Sequence, residues 1–163
     1  MNLCVLCAQR GNACCVNRDI LVTSADQERI AAHVGESTFF EYRKPASPAY
    51  LDNDDDPNWN SMTVQVNGAR LVLKRGMTKR CYFLTGRGCR LPAAVRPLIC
   101  RLHPVEYTET GITGLSGECP IELLAPPTSL LENLGMSLDQ AESWRSQLYE
   151  ELRQDFKKRE KVA

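Results

Sequence analysis

Charge imbalance, histidine and long apolar runs are all scarce in this sequence. Among 163 residues, 20 Lys and Arg face 20 Asp and Glu, so the formal net charge is zero. No global field therefore draws the chain to nucleic acid or to an anionic membrane, and neither partner is predicted. No stretch approaches the roughly 20 apolar residues that cross a bilayer. The first residues carry no basic cluster, and their short apolar run ends at Gln9 and Arg10, a poor match to a signal peptide. These absences give the cytosol as the expected, cytoplasmic compartment, where thiols stay reduced. Internal repeats and low-complexity tracts are missing as well. Only two histidines are present, His33 and His103. A lone histidine more often packs or faces solvent than ligates, so neither joins the expected ligands.

What the chain does have is cysteine. Eight are present: Cys4, Cys7, Cys14, Cys15, Cys81, Cys89, Cys100 and Cys119. That share lies below the roughly 8–10% that marks a disulfide-stapled secreted chain, and the compartment also argues against disulfides. The first four fall within one short stretch, expected to be a loop, that a Cys-x-x-Cys opens and a Cys-Cys pair closes. Cys-x-x-Cys lets two side chains reach one metal, in zinc and iron–sulfur sites alike. Thiolates are soft donors and select zinc, copper(I) or iron–sulfur over calcium or magnesium. Eight thiols suffice for two four-thiolate sites, for one cluster plus one zinc, or for one site with spares. Adjacent side chains point in different directions, so Cys14 and Cys15 can serve different centres. A thioredoxin-like role for Cys4-Val5-Leu6-Cys7 competes, but that motif normally follows a strand in a βαβ setting, and no strand precedes it here.

The remaining pattern gives an α+β expectation. Asp19–Val22 reads as extended. Ser24 with Gln27 has the form of a capping box for a helix over about Ala25–Val34, stopped by Gly35. Residues 45–60 read as a solvated acidic loop. Asp52, Asp54 and Asp56 alternate as in a calcium loop, but Pro57 and Thr63 stand where glycine and an acidic residue are needed. Alternating apolar residues around Asn67-Gly68 predict a hairpin over Met62–Lys74. A second hairpin, through Gly86 and Gly88, would bring Cys81 and Cys89 together. Pro92–Pro104 reads as a short helix broken near Pro97. A buried metal–thiolate centre needs cations or amide donors around it, and Arg90, Arg96 and Arg101 are interleaved with Cys89 and Cys100. After Pro126-Pro127, a short helix ends at Gly135. A long one then opens on Ser137 and Gln140, with a stripe of Leu138, Ala141, Trp144, Leu148, Leu152 and Phe156. The basic tail beyond it reads as a solvated helix end.

Taken together, Cys-x-x-Cys…Cys-Cys, Ile20-Leu21-Val22-Thr23, Cys81-x-Phe83-Leu84, Cys89-Arg90-Leu91 and Arg96-Pro97-x-x-Cys100-Arg101-x-x-Pro104 resemble the YkgJ-type cysteine cluster proteins. The resemblance covers about residues 4–120 and implies a zinc- or iron-chelating domain with the aligned cysteines as ligands. His103 departs from it, standing where the family usually has an aromatic residue. A more distant likeness is to the flagellin lysine-N-methylases, thought to carry an iron–sulfur cluster. The expectation is a small, irregular, metal-centred α+β domain with β-hairpins over residues 1–125, and a C-terminal helical segment over 126–163 packed on the same domain. Its cofactor would be an iron–sulfur cluster, such as a 4Fe-4S cluster, or Zn2+, held by the eight cysteines in a structural or metal-handling role. The alternative is an iron–sulfur-dependent enzyme, either redox-active or acting by protein lysine N-methylation-like transfer. Metal ions are the one partner indicated; no protein partner is.

Overall fold

The computed structural model describes residues 2–11 and 13–163. Its first element corrects an expectation: the stretch carrying Cys4 and Cys7 is not a loop but a helix, α1 (Leu3–Gln9). The Asn2 side chain accepts from the Cys4 amide at 2.9 Å, a cap that satisfies one of the orphan donors of the first turn. The second helix, α2 (Ser24–Val34), forms where expected and ends at Gly35 in the left-handed region, φ 75°. Its cap lies one residue earlier than Ser24: Thr23 and Asp26 make the reciprocal box.

Strand β1 (Phe40–Arg43) pairs antiparallel with β2 (Arg70–Leu73), from Phe40 opposite Leu73 to Arg43 opposite Arg70. On the other side of β2 lies the extended Ile20–Val22 segment, with Val22 N donating to Leu71 O and Leu73 N to Ile20 O. With neighbours on both sides, all four β2 residues are buried. This pairing replaces the expected hairpin over Met62–Lys74. The Asn67-Gly68 turn forms, with Gly68 at φ 81°, but Trp59–Thr63 is helical (α3) and only Val64 bridges Arg70. Met62 gains more by burial in a second apolar cluster than by alternating along a strand. The loop expected over residues 45–60 instead holds a 3-10 turn at Pro48–Leu51 and the start of α3 at Trp59, and its acidic run is not wholly solvated. Asp56 is buried and accepts from the Tyr149 hydroxyl.

The second expected hairpin is present, as β3 (Leu84–Thr85) and β4 (Gly88–Cys89). Pro97 does not break the next helix; it precedes α4 (Leu98–Leu102), whose first amide needs no intrahelical acceptor. A hairpin not foreseen follows, β5 (Val105–Thr108) with β6 (Gly111–Leu115). The short α5 (Leu130–Leu134) ends at Gly135, and α6 (Leu138–Val162) opens on the Ser137–Gln140 box, both as expected. Ala141, Leu148 and Leu152 of the stripe are buried, but Leu138 is exposed and Tyr149 takes a core place.

Two apolar clusters result. One joins Ile20, Val22, Ile30, Phe39, Leu71 and Phe83, with four cysteines in or against it. The other joins Met62, Leu98, Leu102, Val105, Leu148 and Leu152. Helix α4 stands between them. Leu98 and Leu102 enter the second cluster, while Ile99 and Cys100 face the first. Behind it, a buried polar network ties α2 to α6. Arg29 bonds Glu151 at 2.7 Å and Asp26 at 2.6 Å, and Thr23 donates to Glu151 at 2.5 Å. Asp26 also accepts from the Leu98 amide at 3.1 Å, so one carboxylate caps two helices.

Candidate metal centre

Four backbone devices bring distant thiols together. The Cys81 amide donates to Cys15 O at 2.8 Å, and Val16 bridges Arg80, which sets the Cys14-Cys15 pair against Cys81. The tight hairpin puts Leu84 opposite Cys89. Helix α4 delivers Cys100 to the same cluster. Helix α1 packs on β4, where Gly88 is in close contact with Val5, between Cys4 and Cys7. All eight cysteines consequently line one cavity of about 550 Å³. All eight are free.

The cavity has two sides. Cys81 is buried in the first apolar cluster, and Cys15, Cys89 and Cys100 pack against it. Cys7 and Cys119 stand at the opposite side, where they also line a polar cleft of about 310 Å³ with Arg10, Glu118 and Glu122. Cys14 lies between. It accepts a hydrogen bond from the Cys15 thiol, which pulls Cys14 down and Cys15 up. Burial, reinforced by the charges of Cys81, Cys14 and Cys89, pushes Cys100 well above the ordinary thiol range. Burial, then the charges of Cys4, Cys14 and Cys7, raises Cys119 to about 11. Burial also raises Cys81 to about 11, against the opposing influence of the Phe83 and Leu84 amides beside it.

Burial first, and then the charges of neighbouring thiols, raises Cys4, Cys7, Cys81, Cys100 and Cys119, and a bound metal ion would favour the thiolate instead. The donor chemistry fits zinc or iron–sulfur. The amides beside Cys81 are the kind of donor that supports a metal-bound thiolate. The arrangement is not closed: among the described residues, no three His, Cys, Asp or Glu side chains are grouped so as to hold an ion as they stand. Four sulfurs would have to draw in to about 2.3 Å from one zinc.

Of the three arginines expected to neutralise the centre, Arg96 lines the cavity. Arg90 does not; it lies over the Tyr82 and Phe83 rings, with its guanidinium near Glu36. Arg101 donates through Nε to Arg96 O at 2.8 Å, within the electrostatic influence of Arg29, Asp26 and Glu151, and burial lowers its pKa. Tyr107 and His103 also line the cavity, outside the expected ligand set. Tyr107 gave no signal in the sequence. His103 did, standing three residues after Cys100, and its Nε2 lies 3.7 Å from Cys119 Sγ.

A fold that gathers thiols from five separate segments around one cavity defines a cysteine-rich metal-chelating domain. Residues 3–120 match the family CxxCxxCC, described as "Putative zinc- or iron-chelating domain". The chain belongs to that family, which carries a general metal-binding role and agrees with the zinc or iron cofactor expected. No curated protein and no solved structure matches the chain, so the likeness to flagellin methylases gains no support. Among the described residues, no helix is long and apolar enough to cross a membrane.

Proposed function

We propose that this chain binds an iron–sulfur cluster, zinc or both through Cys4, Cys7, Cys14, Cys15, Cys81, Cys89, Cys100 and Cys119, in a structural or metal-handling role. The observation that carries the reading is that all eight free thiols line one cavity. At about 550 Å³ it lies within the roughly 300–1,000 Å³ of cofactor sites, and is roomier than one closed four-thiolate ion requires. Metal binding would join α1, the Cys14–Cys15 turn, the β3–β4 hairpin, α4 and Cys119, so its free energy becomes folding free energy.

A second reading, an enzyme built on a cluster with an open coordination position, draws on the placement of Cys7 and Cys119 beside a solvent-facing cleft. One experiment separates these. The chain is purified without oxygen, and its iron, zinc, acid-labile sulfide and visible absorption are measured. Iron with sulfide and a broad visible band supports the cluster, and colourless protein with stoichiometric zinc supports zinc sites. A well-folded chain that carries neither metal, even after reconstitution, overturns both.

A further inference from the structure

We infer that His103 is a metal ligand, and that together with Cys119, Cys7 and Cys4 it forms a Cys3His zinc site on the open side of the cavity. The inference rests on the metal-binding reading above and adds to it a donor that is not a thiol and a choice of metal.

Three observations carry it. The first is spacing. A tetrahedral zinc with sulfur at about 2.3 Å and nitrogen at about 2.0–2.1 Å holds those two donors about 3.6 Å apart. His103 Nε2 and Cys119 Sγ are 3.7 Å apart, already at the edge length of such a tetrahedron. Their elements fix this pair: His103 is the C-cap of α4, and Ser116 donates to Pro104 O at 2.7 Å, which holds the chain leading to Cys119 beside the end of α4.

The second is the side of the cavity. Cys7 and Cys119 both border the polar cleft, and Cys4 precedes Cys7 by three residues on α1, so the two project from one face of that helix. Cys15, Cys81, Cys89 and Cys100 lie in or against the first apolar cluster, which leaves a second set of four thiols that draws on none of these donors. Cys14 remains between the two sets.

The third is the chemistry of the donors. A mixed set of three thiolates and one imidazole is a common closed ligand set for zinc.

The test reconstitutes the metal-free full chain with zinc and records zinc-edge X-ray absorption together with bound zinc per chain. The expected result is imidazole scattering with nitrogen at about 2.0–2.1 Å alongside the sulfur shell. His103→Phe should lose one zinc per chain and all imidazole scattering, with iron and sulfide content of the anaerobically purified chain unchanged. His103→Cys should keep the zinc and give a sulfur-only shell, which separates a ligand from a residue needed only for folding. A sulfur-only shell in the wild-type chain, or full zinc occupancy in folded His103→Phe, overturns the inference and leaves the metal-binding reading standing. So does a chain that takes up iron and sulfide but no zinc. If no metal binds at all, both fall.

Discussion

The contact between Gly88 and Val5 decides whether α1, with Cys4 and Cys7, is seated on the hairpin that carries Cys89. Gly88 has φ +95°, and a Cβ added there would stand 3.2 Å from Val5 Cγ2 and 3.7 Å from Val5 Cα. Gly88→Ala therefore has two separable effects. The backbone conformation costs about 1–3 kcal/mol in a residue with a Cβ. Crowding adds roughly 1–3 kcal/mol where α1 cannot retreat. Val5→Ala alone removes two half-buried methyls, a loss of about 1 kcal/mol. In the double variant the backbone effect persists but the crowding is relieved, so the combined loss should be smaller than the sum by roughly 0.5–2 kcal/mol. Urea unfolding of the four reduced, metal-free proteins, followed by circular dichroism, measures this cycle. Gly86→Ala is the control, because Gly86 has open space around it and no positive φ. Metal content should follow the same order, falling in Gly88→Ala and partly recovering in the double variant. Additivity within about 0.3–0.5 kcal/mol would show that α1 does not rest on this glycine.

Other perturbations test the remaining links. Leu102→Ala removes a fully buried side chain from the second cluster and should cost about 2–5 kcal/mol in unfolding free energy, with a loss of metal affinity because α4 also carries Cys100. Retained affinity at that loss would separate α4 packing from the site. Cys7→Ser and Cys100→Ser should each lower metal content, and Cys100→Ser should cost more stability because Cys100 packs against the core; full occupancy in either variant removes that cysteine from the ligand set. Cys81 and Cys119 are raised to about 11, so both are protonated at neutral pH and must release protons to bind. Calorimetry in buffers of different ionisation enthalpy should therefore find proton release with each zinc, and affinity that climbs with pH; binding without proton release would exclude thiol ligands. Glu151 is buried, which raises its carboxyl, but hydrogen bonds from Arg29, Thr23 and Gln147 outweigh this and leave it below its usual range. Its stabilising effect is present above the unfolded carboxylate pKa and is lost as pH falls through the folded value. The stability gap between wild type and Glu151→Gln should thus close on acidification toward pH 3, and a gap that widens would reverse the assignment.

The sequence made the thiol set legible because cysteine chemistry is local: each side chain declares its donor whatever the backbone does. Strong caps and glycine stops were legible for the same reason, at Gly35, Ser137 and Gly135. The failures lie where pairing is decided by distant partners. Asn67-Gly68 does turn the chain, yet the strand after it pairs with Phe40–Arg43 and Ile20–Val22, and nothing local to residues 62–74 announces those neighbours. The helix at Leu3–Gln9 was hidden because two cysteines at helical spacing are also the spacing of a metal loop. Asp56 reads as solvent-facing in an acidic run, and only the position of Tyr149 on α6 shows why it is buried. The β5–β6 hairpin, with Gly111 and Gly114 in its second strand, looks in sequence like a linker.

Helix α4 is the point at which the two apolar clusters and the thiol cavity meet. It has only five residues, too few to be stable alone. What holds it is borrowed from three places: Leu98 and Leu102 are buried beside α6, Ile99 and Cys100 against the thiol-bearing cluster, and the Leu98 amide on Asp26 of α2. An element so dependent on its surroundings transmits changes among them. Drawing Cys100 toward a metal would pull on the same turn whose opposite face is packed beside α6, and whose first amide is held by the network of Asp26, Arg29 and Glu151. The C-terminal helix, which contributes no cysteine, would by this route be coupled to a bound metal through packing and not through ligation.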